Sequence, residues 1–479
     1  MASTQLGSKQ TPPAPADFVA QGRVVTMNAR REIIPDGAVA VRDGNILAVG
    51  DREEILRRFA PSRVLGDRHA IVIPGLIEGH THCTQAFVRS LTAGELPMIP
   101  RIYNPGQRCL TPDQAGATVR LIAAQLLRSG VTTLCEGTLN PAHEEAIVSA
   151  LHEVGIRCCM ARGAADQDFY HAALYAQLKE RSWAKPRPGE AERELSCTEA
   201  FLRRFPPKGH GLIRGAVNVS ALLGFSEAYF RGGAALARYF DTTLQVHVGR
   251  DREEVEFCLA VWGRRPIERL ADLGVIDDHL IAVHAVLASE GEIELLAQGK
   301  ACLSHSPIEC VANLNAIPNL QRFRKRGIKV SLGCDNQGND MFVNMRAAWV
   351  IHGAKWGLPA YDPDYLDAGE IFSMATSESA EVLRWDDRIG SLQAGKAADL
   401  VVLDGSGPHL MAMQHLPSEL VRFASRAEVR QTMVNGRLLY DLGAFPTVDL
   451  ERLRAEATAG ASLVRAEVAD RRYRPLPCC

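Results

Sequence analysis

The stretch Ile73-Pro74-Gly75-Leu76-Ile77-Glu78-Gly79-His80-Thr81-His82 reads as a short apolar strand ending in His-x-His. Side chains alternate between the two faces of a strand, so residues two apart point the same way. His80 and His82 then project together, close enough to share one ion, and imidazole is a common nitrogen ligand for zinc and its neighbours. A single His-x-His is weak evidence on its own. The rest of the chain decides what it means.

Outward from this stretch, strand-like and helix-like segments alternate from about residue 71 to 383. Candidate strands cover 71–74, 132–135, 157–161, 213–219, 243–248, 280–283, 301–303 and 329–332, with helical periodicity between many of them. Eight βα units argue a parallel sheet closed into a barrel. Both flanks are β-rich. Residues 18–50 hold short β-like runs with a hairpin signal at Asp43-Gly44, and Asn435-Gly436 marks a second hairpin near the other end. The fold class expected is α/β: a (β/α)8 TIM-type barrel with a satellite β-sandwich built from both chain ends. Residues 1–16 read as a disordered lead-in, 17–70 and 385–445 as the sandwich, 71–384 as the barrel, and 446–479 as a C-terminal helix and tail.

Composition narrows the function. The chain has 479 residues, 46% hydrophobic and 23% charged, with a formal net charge of -2 and a pI near 6.7. That leaves no basic footprint for nucleic acid and little attraction to an anionic membrane. No apolar run approaches the ~18 residues that cross a bilayer, and the first ten residues hold no signal core. Twelve cysteines lack CxxC spacing, which fits reduced, buried thiols and a cytoplasmic protein. The expected partner is a small-molecule substrate.

The histidines then fall into a pattern. His80 and His82 close the first strand, His247 the fifth and His284 the sixth; His305 follows the seventh and Asp335 closes the eighth. Barrel active sites form at the carboxyl ends of strands. Nitrogen ligands with one carboxylate suit zinc, with Fe, Mn or Co as alternatives.

On these residues, the flanking β segments and the segment 390–404, the chain resembles the amidohydrolase superfamily over nearly its whole length. The resemblance implies that His80, His82, His247 and Asp335 bind metal and that His284 binds a second metal or holds substrate and water. It also implies a homo-oligomer. Two departures narrow it. Two-metal members carry a carboxylated lysine on the fourth strand, where this chain has Asn218, so one divalent ion per chain is expected. One-metal deaminases place a Glu three residues after the fifth-strand His, where this chain has Arg250. A guanidinium stays charged and cannot shuttle protons at neutral pH, and Glu253 and Glu254 lie one helical turn on. The combination is similar to phenylurea and molinate hydrolases.

The leading expectation is therefore hydrolysis of a urea- or carbamate-like C–N bond, of the phenylurea herbicide type that releases an arylamine. A bound ion lowers the pKa of water from 15.7 toward ~7. Asp335 takes the proton, His284 polarises the carbonyl, and Asn218 hydrogen-bonds water or substrate. The alternative is hydrolytic deamination or dechlorination of a nitrogen heterocycle. A non-catalytic barrel scaffold is the third reading, although a scaffold has no need of four metal-type groups at separate strand ends. Gln85, Arg89, Tyr103, Phe225 and His305 are the candidate substrate contacts, with Met98, Phe169 and Tyr170 as further apolar walls. Glu136 is a candidate for orienting a metal-binding imidazole.

Overall fold

The computed structural model describes residues 13–92, 98–137, 140–168, 185–335 and 337–471. Its centre is an eight-stranded parallel sheet in chain order: β6 (Leu76–Thr81), β7 (Val131–Gly137), β8 (Arg157–Arg162), β11 (Ile213–Val219), β12 (Leu244–Val248), β13 (Leu280–His284), β14 (Cys302–His305) and β15 (Val330–Leu332). A two-residue pair, β9 (Gln167–Asp168) and β10 (Lys185–Pro186), lies between β8 and β11 in sequence. Alternation divides each barrel strand. Ile77, Cys135, Cys159, Ala216, Ile281 and Val283 gather into the barrel interior. Leu134, Cys158, Val217 and Val246 face the surrounding helices. Helix Pro112–Arg128 shows why those helices form. Thr111 caps it by accepting the Gln114 N–H, Pro112 takes the first turn, and Val119, Ile122, Ala123 and Leu126 make one buried stripe. Each large aliphatic side chain so buried contributes about 1.5–3 kcal/mol.

The ring closes between β6 and β15. The Asp335 N–H donates to the His80 carbonyl at 2.9 Å. The Glu78 carboxylate fills the rest of the seam, accepting the His80 N–H at 3.0 Å and the Cys334 N–H at 2.7 Å. Burial pushes the Glu78 carboxyl up to about 8. Backbone groups that a three-residue last strand leaves unpaired thus find an acceptor.

The second sheet corrects part of the sequence reading. Residues 71–74 are not the first barrel strand. They belong to β5 (Ala70–Pro74), which pairs antiparallel with β16 (Leu400–Asp404) and parallel with β1 (Ala14–Val25). Pro74 and Gly75 break the apolar run, and the barrel begins at Leu76. The run feeds two sheets and is buried in both, so its hydrophobicity carried no sign of the division. The lead-in is also shorter than expected. Ala14 is already in β1, paired with Phe59 of β4 (Phe59–Leu65); residues 1–12 lie outside the described residues.

The satellite β domain is built from both chain ends, as expected, on one hydrogen-bonded sheet in the order β18 (Arg437–Asp441), β17 (Val429–Val434), β16, β5, β1, β2 (Ile33–Arg42) and β3 (Asn45–Asp51), with β4 on β1. Strands from both chain ends share one core that includes Val24, Val39, Leu65, Val72, Val402 and Met433. Asn435 and Gly436 both adopt positive φ (48° and 75°), as the turn between β17 and β18 demands.

A buried ion pair ties the sheet to the barrel. Arg157 on β8 donates through Nε and Nη2 to Asp399 at 2.8 and 2.9 Å, and both side chains are 2% exposed.

Candidate metal centre

Strict alternation from Ile77, which faces the barrel interior, would turn His80 outward. The strand avoids this with one extra residue. Glu78 lies opposite Leu134 and Thr81 opposite Glu136, so three steps on β6 match two on β7. This bulge re-aims His80 and His82 into the barrel, as bulges beside active sites commonly do.

Inside, the histidines meet. The His80 and His247 Nε2 atoms are 3.1 Å apart, and those of His82 and His247 3.3 Å. Asp335 Oδ2 lies 3.8 Å from His80 Nε2 and 3.6 Å from His284 Nε2. A tetrahedral zinc with nitrogen donors at about 2.0–2.1 Å places those donors about 3.3 Å apart, so the spacing fits a shared divalent cation. Burial holds His80, His247 and His284 well below the usual imidazole pKa, and neighbouring positive charge adds to the effect. Neutral imidazoles of this kind keep a lone pair that a cation could use. The His82 Nδ1–H donates to the Gly137 carbonyl at 3.0 Å, which leaves its Nε2 lone pair turned to the cluster.

His284, the last residue of β13, and Asp335, three residues past β15, adopt φ of 74° and 53°. Non-glycine residues enter this region at a cost of about 1–3 kcal/mol each, and such strain collects at functional sites. Thr81 braces the strained turn by donating to the Asp335 carbonyl at 2.7 Å.

The other sequence candidates divide. Asn218 shares the inward face of β11 with Ala216, and its Nδ2 donates to Ser220 Oγ at 3.1 Å. It borders the ligands: a Cβ added at Gly137 would meet the His82 ring at 3.2 Å and Asn218 Oδ1 at 3.9 Å. Gln85 is buried in the turn after His82, and its N–H donates to the His82 carbonyl. Tyr103 is buried and its hydroxyl accepts from Asn313 and Gln337, both at 3.3 Å.

Three expected substrate contacts are engaged by other side chains. Arg89 reaches Gln125 on helix Pro112–Arg128 at 3.0 Å and anchors the first loop. Phe225 packs on Tyr229 and Phe230 beside a cleft lined by Trp262 and Leu273, away from the histidines. His305 shares the outward parity of Leu303 and pairs with His352 at 3.0 Å on helix Met341–His352. Glu136, next to last in β7, lies beside the cluster, with His82 and Asp335 as its charged neighbours. It accepts the Cys83 N–H at 2.6 Å, and the role expected for it falls to the Gly137 carbonyl. Phe169 and Tyr170 lie outside the described residues.

Arg250 follows β12 and is held by Asp251, with Nε at 2.7 Å from Oδ2; its charge is felt at His247 and His284. Sequence reasoning missed Glu78, whose apolar strand hid its carboxylate, and Glu309, which looks locally like any first-turn helical glutamate.

Comparison with known proteins agrees with this arrangement. A profile of the amidohydrolase family matches residues 71–439, and one of a bacterial imidazolonepropionase-like composite domain matches 37–60. The chain belongs to the amidohydrolase family, and it is an enzyme acting on carbon–nitrogen bonds other than peptide bonds. It is 31% identical to a 5-methylthioadenosine/S-adenosylhomocysteine deaminase of Nitratidesulfovibrio vulgaris over 92% of this chain and 96% of that one. A deaminase of the same description from Syntrophobacter fumaroxidans is 30% identical over 91% and 95%. Among solved structures, an adenosine deaminase from Xanthomonas campestris with bound zinc superposes with a TM-score of 0.83 at 27% identity, covering 95% of this chain and all of that one. A zinc complex of atrazine chlorohydrolase from Arthrobacter aurescens shares the fold, with a TM-score of 0.79 at 21% identity over 93% and 100%. These relatives support the deaminase alternative of the sequence reading over urea cleavage, and the phenylurea hydrolase resemblance is not upheld.

Proposed function

We propose that this chain hydrolytically deaminates an adenosine-like nucleoside, using one zinc ion held by His80, His82, His247 and Asp335. The observation that carries the reading is the meeting of these groups and His284 at the ends of four barrel strands, in a chain whose relatives over nine-tenths of its length are named deaminases. Asn218, where a bridging lysine would stand, supports a single ion.

A bound divalent ion lowers the pKa of water toward ~7 and so makes hydroxide available at neutral pH. Asp335 is placed to take the proton, its Oδ2 facing His284 Nε2. His284, neutral and fixed by its strained turn, orients the incoming oxygen and steadies negative charge as the tetrahedral carbon forms. Asn218 and Gln85 line the floor and first turn.

The test is product analysis. Zinc-loaded protein is offered adenosine, 5-methylthioadenosine, S-adenosylhomocysteine and a panel of phenylureas. Ammonia release with the matching inosine-type product supports the proposal. Arylamine release without ammonia refutes it and restores urea cleavage.

A further inference from the structure

Deamination leaves one task without an owner. Attack at an amino-bearing ring carbon is assisted by a proton delivered to the neighbouring ring nitrogen. At the position after the fifth strand where a carboxyl could serve, Arg250 stands instead, clasped by Asp251.

Among the described residues, four buried glutamates have a carboxyl oxygen without a hydrogen-bond partner: Glu136, Glu194, Glu254 and Glu309. Three are placed for other work. Glu136 braces the turn after His82 by accepting the Cys83 N–H at 2.6 Å, with His82 and Asp335 as its charged neighbours. Glu194 sits on helix Glu190–Arg204 and is ion-paired to Arg162 at 3.0 Å. Glu254 reaches back to accept the Arg250 N–H at 2.8 Å, and its charged neighbours are Asp251, Arg250 and Glu292.

Glu309 differs. It follows β14 in the short turn Pro307–Glu309, on the same barrel face as the ligands, and is 5% exposed. Its charged neighbours are Asp335 and Arg250. Its Oε1 accepts from Asn313 Nδ2 at 2.7 Å. The same amide donates to the Tyr103 hydroxyl, which Gln337 also engages. Loops after the first, seventh and eighth strands thus hold one carboxyl through Oε1 and leave Oε2 without a partner among the described residues. Buried carboxylates with purely structural roles are better satisfied: Glu292 accepts from Arg265, Ile267 and Ser289.

We infer that Glu309 is the proton donor to the substrate's ring nitrogen, a task moved from the fifth strand to the seventh. The inference rests on the deaminase reading. Burial favours the protonated form of Glu309. In the step, water gives one proton to Asp335 and its oxygen bonds to the ring carbon, while Glu309 gives its proton to the adjacent nitrogen. The C–N bond to the amino group then breaks, and nitrogen leaves with the bonding pair and the proton from Asp335 as ammonia. The new hydroxyl becomes a carbonyl, and its proton restores Glu309.

The experiment compares wild type, Glu309→Gln and Glu309→Leu, all checked for equal zinc content and melting temperature. Kinetics use whichever adenosine-type substrate releases ammonia. Calorimetric binding uses purine riboside, which keeps the ring nitrogen and lacks the leaving group. Glu309→Gln is expected to lower kcat about 100-fold or more while KM stays within about threefold, because the amide N–H donates the same hydrogen bond. Glu309→Leu is expected to weaken purine riboside about tenfold, whether or not zinc is present. Wild-type kcat in Glu309→Gln overturns the inference with the deaminase reading intact. Wild-type protein that releases no ammonia from any adenosine-type substrate overturns the reading and the inference together. If Glu309→Leu does not fold, the kcat–KM split of the near-isosteric Glu309→Gln decides.

Discussion

Replacing Asp399 with Ala should loosen the satellite sheet from the barrel. The carboxylate takes two guanidinium hydrogen bonds from Arg157 and also accepts the Asn435 N–H at 2.8 Å. Its removal strands a guanidinium that is 2% exposed and leaves it a long 3.5 Å hydrogen bond to Asn435 Oδ1. Breaking a buried pair from one side costs about 3–5 kcal/mol. The surroundings favour the upper end: the Arg157 guanidinium lies 5.3 Å from the Trp385 ring centre and that of Arg214 4.6 Å, two cations against one indole. At about 2 °C per kcal/mol for a chain of this size, the melting temperature should fall by roughly 6–10 °C. Differential scanning calorimetry of zinc-loaded Asp399→Ala measures this directly. The double variant Arg157→Leu with Asp399→Leu removes both charges and should recover most of the loss. A melting temperature for Asp399→Ala within about 1 °C of wild type, on that same scale, would refute the reasoning, as would a double variant no better than the single.

Three further outcomes follow from the same geometry. His247→Ala should lower bound zinc from near one per chain to well below half by elemental analysis, and chelation of the wild type should lower both activity and melting temperature; unchanged stoichiometry would remove His247 from the ligand set. Burial drops His352 from 6.5 to about 4. The unfolded chain therefore binds the extra proton between those values, and stability is lost as pH falls from about 6.5 to 4, by about 3 kcal/mol for this group. His352→Gln should flatten the fall in urea midpoint between pH 7 and 4.5 by one proton's worth; an unchanged slope argues against it. A Cβ at Gly163 would sit 1.9 Å from the Asn218 carbonyl, so Gly163→Ala should destabilise by about 1–3 kcal/mol or more and reduce kcat by displacing Asn218; a wild-type melting curve would contradict that.

What the sequence made legible was periodic. His247 and Asn218 sit on strands whose alternation could be read, and the rule that barrel sites gather at strand ends led to Asp335 and His284. What stayed hidden was not periodic. No local pattern marks the extra residue between Glu78 and Thr81, yet without it His80 would face the helices. His305 stands at a strand end like its neighbours, and only its parity relative to Leu303 sends it outward. The split at Pro74-Gly75 lay within a run buried on both sides, where hydrophobicity cannot tell one sheet from two. Glu309 gains meaning only from Tyr103, Asn313 and Gln337, which tertiary contact brings beside it. Arg250 at the fifth-strand position hides the deaminase reading in the sequence, because no local pattern there marks a carboxyl carried by another strand.

The seam between β6 and β15 has a bearing on biogenesis. The residues proposed to hold the cation come from both lips of that seam, His80 and His82 on one side and Asp335 on the other, joined by one main-chain hydrogen bond, the Thr81 hydroxyl on the Asp335 carbonyl and the Glu78 carboxyl. A ribosome-bound chain short of residue 335 has the imidazoles without the carboxylate and an open ring. High-affinity loading therefore waits until nearly the whole barrel has emerged, and the captured ion then acts as a rivet that resists reopening at the one joint where the ladder is thinnest.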